Sequence, residues 1–176
     1  MIYRIDKNLT VREFETKDLK IKYFTWFQDQ VVTRYSSHGK FTKGKKYYQN
    51  YLENFLMNKD RVLWAICFDN KHIGNITLGN ISAINRTAEF SIIIGDKNFW
   101  KKNISHLVSL KLFEHAFLKL NLNRIYCGMS SNNIGMINLA KKLKMKKEGI
   151  KRKALFLNNK YVDIVEFGIL KKEFLS

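Results

Sequence analysis

The spacing of apolar and polar residues along this chain predicts a succession of strands and helices. Apolar and polar residues alternate over Leu9–Glu15, which predicts a strand because successive strand side chains point to opposite faces. Apolar residues that recur every three or four positions predict one helix over 19–32 and a second over 47–56. Alternation and turn residues predict three further strands: Arg61–Phe68, His72–Ile81 and the segment that contains Glu89.

The second half of the chain continues in the same way. Ser105–Leu120 carries its large apolar residues on one side, which predicts the main helix. A strand, a helix and a closing hairpin are predicted next: Ile125–Met129, Ile134–Leu143, and Leu155–Leu157 with Val162–Leu170 around Asn158-Asn159. The order β-α-α-β-β-β-α-β-α-β-β indicates a single α/β domain over residues 1–176, built on one mixed sheet.

The composition limits the classes of protein that the chain can represent. With 176 residues, of which 45 % are hydrophobic and 14 % aromatic, it has enough apolar material for a globular core. Its formal net charge of +17 would suit nucleic-acid binding. Lys, Asn, Ile, Phe and Tyr are abundant throughout and Pro is absent, as in proteins from AT-rich genomes. We therefore interpret most of this charge as a solvated surface that favours anionic ligands, and nucleic acid is not the expected partner.

Several sequence features bear on location and on metals. No apolar run reaches the ~18 residues of a membrane span, and Met1–Lys7 lacks the apolar core of a signal peptide. Cys67 and Cys127 lie singly in strand-like segments, without the spacing of metal ligands, so they predict buried thiols in a reducing compartment. These features predict a cytoplasmic protein without a metal site.

A candidate anion-binding site follows the strand that contains Glu89. The basic segment 100–105 connects this strand to the start of the main helix near Ser105. Free N–H groups in a first helical turn, together with the positive end of the helix dipole, attract anions. Lys101 and Lys102 add positive charge at the same place. Taken alone, however, the segment would also fit a basic surface turn.

Three segments carry a resemblance to a known family. They are the strand Ala88–Ile94, the loop Trp100–Ser105 that opens the main helix, and the strand Arg124–Met129 followed by Asn132–Met145. Their order and spacing resemble the acetyl-CoA site of the GNAT superfamily of N-acetyltransferases. The branch that holds ribosomal-protein, spermidine and amino-sugar acetyltransferases is the most similar. This resemblance implies a mixed, mostly antiparallel sheet flanked by helices, with splayed strands that form the acetyl-CoA cleft.

The resemblance also implies acetyl-CoA as co-substrate and direct transfer of the acetyl group to a primary amine. Main-chain groups of Ile92, Ile93 and Ile94 would hold the cofactor amides and polarise the thioester carbonyl. The pyrophosphate would lie against a set of loop residues: Lys101, Lys102, Asn103, Ile104 and Ser105. Asn133 would contact the cofactor, although capping of the next helix explains it equally well.

The same resemblance assigns the catalytic base to Glu89. A protonated amine is not a nucleophile, so a carboxylate beside the acceptor is needed to remove a proton. The alternative is a structural Glu paired with Lys or Arg on a neighbouring strand. Many family members also place a Tyr in the last helix to protonate the leaving thiolate. Here that position is Ala140, so Tyr126, Ser130 or water would have to serve.

The loop departs from the pattern of the family, which is Arg or Gln, two residues, Gly, one residue, and Gly or Ala. Asn103 and Ser105 stand at the two small positions, and Trp100 stands at the first. Asn tolerates positive φ better than most residues, and Ser is small enough for a close backbone approach. The loop can therefore still cradle a pyrophosphate. The alternative is that the loss of both glycines weakens or alters cofactor binding.

The acceptor side is expected to come from the first two helices, the loop between them and the final hairpin. The candidate residues are Trp26, Arg34, Tyr35, His38 and Asp163. Segment 34–39 is similar to that of acetyltransferases acting on nucleotide-linked amino sugars, so such a sugar, as used in surface-glycan biosynthesis, is the expected acceptor. The alternatives are a protein N-terminus, a polyamine or an antibiotic. An inactive GNAT-like domain that binds RNA or ribosomes is the alternative of another class, and a homodimer is compatible with all of these.

Overall fold

The computed structural model describes residues 1–36 and 60–176, together with Lys46, Asn50 and Met57. His38 and the helix expected over 47–56, Asn50 apart, lie outside the described residues.

A single eight-stranded sheet forms the centre of the described part, in the order β1-β2-β3-β4-β5-β6-β8-β7. Every neighbouring pair is antiparallel except β5 and β6, which are parallel. The mixed, mostly antiparallel α/β architecture is therefore confirmed. The strands are β1 (Ile2–Arg4), β2 (Leu9–Glu13), β3 (Val62–Phe68), β4 (Lys71–Ser82), β5 (Thr87–Ile94), β6 (Arg124–Ser130), β7 (Lys146–Leu157) and β8 (Lys160–Leu170).

The helices agree with the sequence pattern in place but not always in extent. They are α1 (Ile21–Gln28), α2 (Gln30–Thr33), α3 (Ile104–Glu114), α4 (Ile134–Lys142) and α5 (Lys171–Leu175), with short 3₁₀ turns at Thr16–Asp18 and Lys97–Phe99. The helix expected over 19–32 is interrupted at Asp29, which has extended backbone angles and caps α2 by accepting a hydrogen bond from the Val31 N–H at 2.8 Å. The main helix changes to a π-helical turn over His115–Lys119. The sequence pattern missed β1 and α5, which are three and five residues long.

Helices cover both faces of the sheet. On one face, α3 buries Val108, Leu112 and Phe113 completely, and Phe113 meets the ring of Phe90 on β5 edge to face at 5.1 Å. Each such side chain contributes roughly 1.5–3 kcal/mol by leaving water. On the other face, α1 packs Tyr23 and Trp26 in one cluster with Phe14 and with Ala65 and Cys67 of β3. The sheet thus holds its central strands rigidly between two layers.

Both cysteines are buried and free, as predicted. Burial, with a smaller contribution from the charges of Glu89 and Glu148, raises the pKa of the Cys127 thiol to about 12. Cys127 is therefore protonated at neutral pH and is not a nucleophile. Within the part of the chain that is described, no helix is long and apolar enough to cross a membrane.

Candidate active site

The parallel strands β5 and β6 separate from each other at Glu89. They pair only at their beginnings, and the last pair joins Glu89 to Tyr126. Beyond this pair, β5 continues to pair with β4 alone, and β6 with β8 alone, in the described part of the chain. The edge of β5 over residues 90–94 therefore offers main-chain N–H and C=O groups without a strand partner. Because such groups require hydrogen bonds, this edge suits a ligand that carries amides.

This separation puts Ile92, Ile93 and Ile94 beside the cleft. Their pairs on β4 are Ile76, Asn75 and Gly74, respectively. All three side chains are partly buried. The arrangement fits the role that the family resemblance implies for these residues.

The loop before α3 adopts a left-handed backbone conformation although it contains no glycine. Asn103 has φ 59° and lies in the left-handed region, at the position where the family has Gly. Lys101 has a similar φ of 63°. Among residues with a side chain, Asn is one of those that adopt this conformation at the lowest cost in conformational energy. It can therefore replace glycine at this position. Helix α3 begins at Ile104, as this conformation requires.

The start of α3 presents free hydrogen-bond donors. The Leu107 N–H bonds to the carbonyl of Asn103 at 3.3 Å. The amides of the three residues before Leu107 have no earlier carbonyl within the helix to bond, so they are available to an anion. Ile104 itself is buried and Ser105 is partly buried, while Lys101 and Lys102 are exposed. The loop thus combines free N–H groups with two solvated cations.

Lys142 is a third cation at this loop, and sequence reasoning did not identify it. Its Nζ donates to Oδ1 of Asn103 at 2.6 Å, which joins the last turn of α4 to the start of α3. The two residues are 39 positions apart, so no local pattern connects them. The only available signal was the run of lysines that ends α4. Lys142 is positioned to add charge where a pyrophosphate would bind.

Helices α1 and α2 are fastened to the segment that leads into this loop. Lys22 on α1 contacts Asp96 at 2.7 Å, and Asp29 contacts Lys97 at 2.6 Å. Trp26 lies so close to Gly95 that a Cβ atom there would be 2.0 Å from its ring. These contacts place the expected acceptor-side helices directly against the expected cofactor loop.

Arg34 and Tyr35 meet the same segment through Trp100. The Arg34 Cζ lies 4.9 Å from the centre of the Tyr35 ring and 5.4 Å from that of Trp100. The Trp100 Nε1–H donates to the carbonyl of Ile94 at the end of β5, at 2.8 Å. Trp100, which replaces the Arg or Gln of the family pattern, therefore connects the cleft edge to the end of α2 through a cation–π contact.

Glu89 lies where the cleft begins and has a single polar contact in the described residues. Its Oε2 accepts a hydrogen bond from Nδ2 of Asn80 at 2.7 Å. No cation of the described residues forms an ion pair with Glu89. Lys151, which lies on the same side of the sheet, pairs with Glu166 instead, at 2.7 Å. The structural alternative, a Glu held by a cross-strand Lys or Arg, is thus not observed. Glu89 is partly exposed and accessible to an incoming amine.

The residues considered as proton donors to the leaving thiolate differ in how far they are buried. Ala140 is completely buried in the core, so α4 supplies no donor at that position. The Ser130 hydroxyl is also buried and accepts a hydrogen bond from the Asn132 N–H at 3.3 Å. Tyr126 is partly exposed and pairs with Glu89 at the apex of the cleft. Of the two hydroxyl candidates, Tyr126 is therefore the more exposed.

Three other predicted site residues make structural contacts. Asn133 caps α4 by accepting from the Met136 N–H at 3.2 Å. Asp163 accepts from the Lys153 N–H at 2.8 Å, at the bulge of β7. Trp26 is only 5 % exposed and packs against His72, with the ring centres 5.0 Å apart. The structure therefore brings Arg34 and Tyr35 toward the cofactor loop, whereas Trp26 belongs to the core of the α1 layer.

Comparison with known proteins agrees with this geometry. Residues 8–146 match the acetyltransferase (GNAT) domain family, so the chain belongs to the GNAT family and is an N-acetyltransferase. A putative ribosomal N-acetyltransferase, YdaF of Bacillus subtilis, is 25 % identical over 180 residues, which cover 97 % of this chain and 95 % of that protein. The spermidine N(1)-acetyltransferase of Vibrio cholerae is 31 % identical over 104 residues, or 59 % of this chain and 60 % of that protein.

A solved structure shows the same fold. The spermidine N-acetyltransferase of Vibrio cholerae, in complex with CoA and spermine, superposes with a TM-score of 0.89 over 97 % of this chain and 100 % of that one, at 22 % identity. The sequence-based expectation of an amino-sugar acceptor is not supported by these relatives, which are named for ribosomal proteins and for spermidine.

The two loop lysines should act mainly on cofactor affinity. Replacing Lys101 and Lys102 by Gln removes two charges that flank the expected pyrophosphate while leaving Glu89 in place. We expect the Michaelis constant for acetyl-CoA to rise about tenfold or more, with a smaller change in kcat. Initial rates at varied acetyl-CoA measure this. A matched double variant at exposed lysines elsewhere, Lys71→Gln with Lys119→Gln, should leave the constant unchanged, and an equal rise in both variants would contradict the assignment.

Proposed function

We propose that this protein transfers the acetyl group of acetyl-CoA to the α-amine at the N-terminus of a polypeptide. The observation that carries the proposal is the separation of β5 and β6 at Glu89, which puts one unpaired carboxylate at the apex of a cleft whose far end is the anion-binding loop. When bound, acetyl-CoA supplies a thioester whose carbonyl carbon the amine attacks.

The residues of the cleft fit the cofactor. The open edge of β5 suits the amides of its pantetheine arm, and the loop before α3 suits its pyrophosphate. Lys101, Lys102 and Lys142 would neutralise the phosphates, and the free N–H groups of α3 would hydrogen-bond them. Asn103 holds the loop in the left-handed conformation that directs these groups outward.

Glu89 would accept a proton from the acceptor ammonium, and Tyr126 would donate one to the leaving sulfur. Asn80 orients the Glu89 carboxylate through the bond from its Nδ2. Removal of the proton converts the ammonium into a nucleophile, which is the function of a general base. Because Tyr126 is the strand partner of Glu89, acid and base lie at neighbouring positions.

An α-amine suits a site with one unpaired carboxylate. An α-amino group has a pKa of about 7.7–8.0, so roughly one in ten is already neutral at pH 7, whereas fewer than one in a thousand alkyl amines like that of Lys are neutral. The acidic residues nearest to Glu89 along the sheet are already engaged: Glu166 pairs with Lys151, and Glu148 pairs with Arg124. In the described part of the cleft, therefore, no further carboxylate is free to form an ion pair with the additional ammonium groups of a polyamine.

The overall charge and the relatives support the same acceptor class. A net charge of +17 repels a polycation and attracts an acidic polypeptide. In sequence, the relative named for ribosomal acetylation matches nearly the whole chain and the spermidine enzyme matches 59 % of it, while the fold of the spermidine enzyme superposes over 97 %. A polyamine remains the second candidate because that shorter match has the higher identity of the two, 31 %.

Acceptor choice is tested by comparing kcat/KM for four amines. They are an acidic peptide with a free N-terminus, the same peptide with a blocked N-terminus and one internal Lys, spermidine, and a nucleotide-linked amino sugar. Release of the coenzyme A thiol can be followed with a thiol reagent, because both cysteines of the described chain are buried. We expect the free N-terminus to exceed every other acceptor by about tenfold or more. Faster turnover of spermidine would overturn the proposal in favour of the polyamine.

A further inference from the structure

Positive charge is concentrated in one short stretch that the cofactor site does not use as a whole. Eight of the thirteen residues 141–153 are Lys or Arg, and one is acidic. Two of the eight form ion pairs, Lys146 with Glu173 and Lys151 with Glu166. The remaining six are exposed and have no ion pair with any described residue: Lys141, Lys142, Lys144, Lys147, Arg152 and Lys153. Such a cluster exceeds what a uniformly Lys-rich composition would produce.

An exposed pair of aromatic rings lies beside this charge. Phe156 and Tyr161 are opposite each other at the end of the hairpin β7–β8, with ring centres 5.0 Å apart, and are 47 % and 67 % exposed. Ile150, 49 % exposed, pairs with Val165 on β8. Tyr161 and Val165 are four residues apart on one strand and therefore face the same side of the sheet. The hairpin thus presents on that side a strip of Phe156, Tyr161 and Ile150, with the carboxylate of Asp163, which accepts from the Lys153 N–H, among them.

The cations flank this strip. Lys147 pairs with Phe167, which shares the face of Tyr161 and lies about 20 Å from it along β8. Arg152 and Lys153 form the bulge of β7, where Lys153 has φ 50°, and Lys160 follows the turn Asn158-Asn159. Strand β7 is an edge strand of the described sheet.

We propose that the hairpin β7–β8 binds single-stranded RNA. The unpaired cations of the hairpin would contact phosphates, and the exposed rings of Phe156 and Tyr161 would stack on unpaired bases. An acidic polypeptide would use the charge but has no need of exposed rings. Duplex DNA keeps its bases stacked within the helix, where such rings do not reach them. The two rings and the cations Arg152, Lys153 and Lys160 are not among the residues assigned to acetyl transfer, so the proposal does not depend on which amine accepts the acetyl group.

Fluorescence anisotropy with a labelled oligouridylate of about ten nucleotides tests the proposal. Binding to the unmodified protein should weaken linearly on a logarithmic salt scale. The triple variant Arg152→Gln, Lys153→Asn, Lys160→Gln should reduce that slope by about 2, since each phosphate contact on a single strand contributes about 0.7. Asn at position 153 tolerates the positive φ. The variant Phe156→Ala with Tyr161→Ala should weaken binding by about 5- to 100-fold at constant charge.

A charge-matched control lies on elements other than the hairpin. Lys7→Gln, Lys20→Gln and Lys71→Gln remove the same charge near β1, α1 and β4 and should leave the slope within experimental error. Equal loss in this control and in the hairpin variant would overturn the proposal. So would the absence of binding at low salt. If polyglutamate competes as well as the oligonucleotide and the ring variant binds normally, the surface recognises an acidic polypeptide and the RNA assignment is wrong.

Discussion

Replacement of Glu89 by Gln is expected to lower kcat for acetyl transfer by about 10²–10⁴-fold, the usual contribution of a general base. Gln preserves the shape of the side chain and can still accept a hydrogen bond from Asn80, but it cannot accept a proton from the ammonium. Affinity for acetyl-CoA should change little, because the expected cofactor contacts lie on the β5 main chain and the loop. Steady-state rates and calorimetric binding of acetyl-CoA, measured on the same preparation, separate the two effects.

Thermal stability provides the second readout of this variant. Glu89 has no ion pair within the described residues, so Gln should not strand a buried cation, and the melting temperature should stay within a few degrees. Glu166→Gln is the matched control, since Glu166 lies on the same face of the sheet but pairs with Lys151. We expect this control to retain nearly full turnover. Near-normal turnover of Glu89→Gln would remove Glu89 from the mechanism.

Replacement of Asp18 by Asn is expected to cause the largest loss of stability among conservative changes. Asp18 is 5 % exposed and accepts two hydrogen bonds from Arg12, at 2.6 and 2.7 Å, as well as one from the Glu15 N–H at 2.9 Å. Asn keeps the shape but removes the main counter-charge of the Arg12 guanidinium, which retains only the longer contact with Glu15 at 3.9 Å. The free energy of unfolding should fall by about 3 kcal/mol, at the low end for buried pairs because Arg12 keeps some contact with water. This corresponds to roughly 6–12 °C in Tm.

The pH dependence of this loss follows from the pKa of Asp18. Burial alone would raise that pKa, but the hydrogen bonds from Arg12 and from the Glu15 amide, with the charge of Arg12, outweigh burial and lower it. A lowered carboxyl pKa contributes stability that is fully present above the unfolded value of about 3.9 and is lost as the pH falls through the folded value. The difference between the unmodified protein and Asp18→Asn should therefore be full at pH 7 and shrink below about pH 4.

Urea unfolding at pH 7 and pH 3 measures this difference. The control is Glu114→Gln, which removes the more exposed pair with Lys111 on α3 and should cost less than about 1 kcal/mol. An equal difference at both pH values would show that the Arg12–Asp18 charge pair is not the source of the stability.

The family and much of the fold could be predicted from local patterns. Strand β2 begins at Leu9 as the alternation predicts, and helix α4 begins at Ile134, one residue after its Asn cap. The hairpin turn at Asn158-Asn159 has positive φ at both residues, as tight turns require. These features depend on neighbours within a few positions, so periodicity and turn chemistry determine them.

Only the tertiary structure decided which residues meet in the site. Glu89 and Tyr126 can be picked out in the sequence, but the parallel pairing that ends with them cannot be predicted from it. The register of these strands depends on how distant segments pack on α3. Likewise, the contact of Lys142 with Asn103 and that of Arg34 with Trp100 join residues 39 and 66 positions apart. Trp26, an acceptor candidate by its place in the chain, is buried because the absence of a side chain at Gly95 leaves room for its ring. The sequence by itself determined the elements and the chemistry available to them, whereas long-range packing determined where those elements separate and which side chains line the resulting cleft.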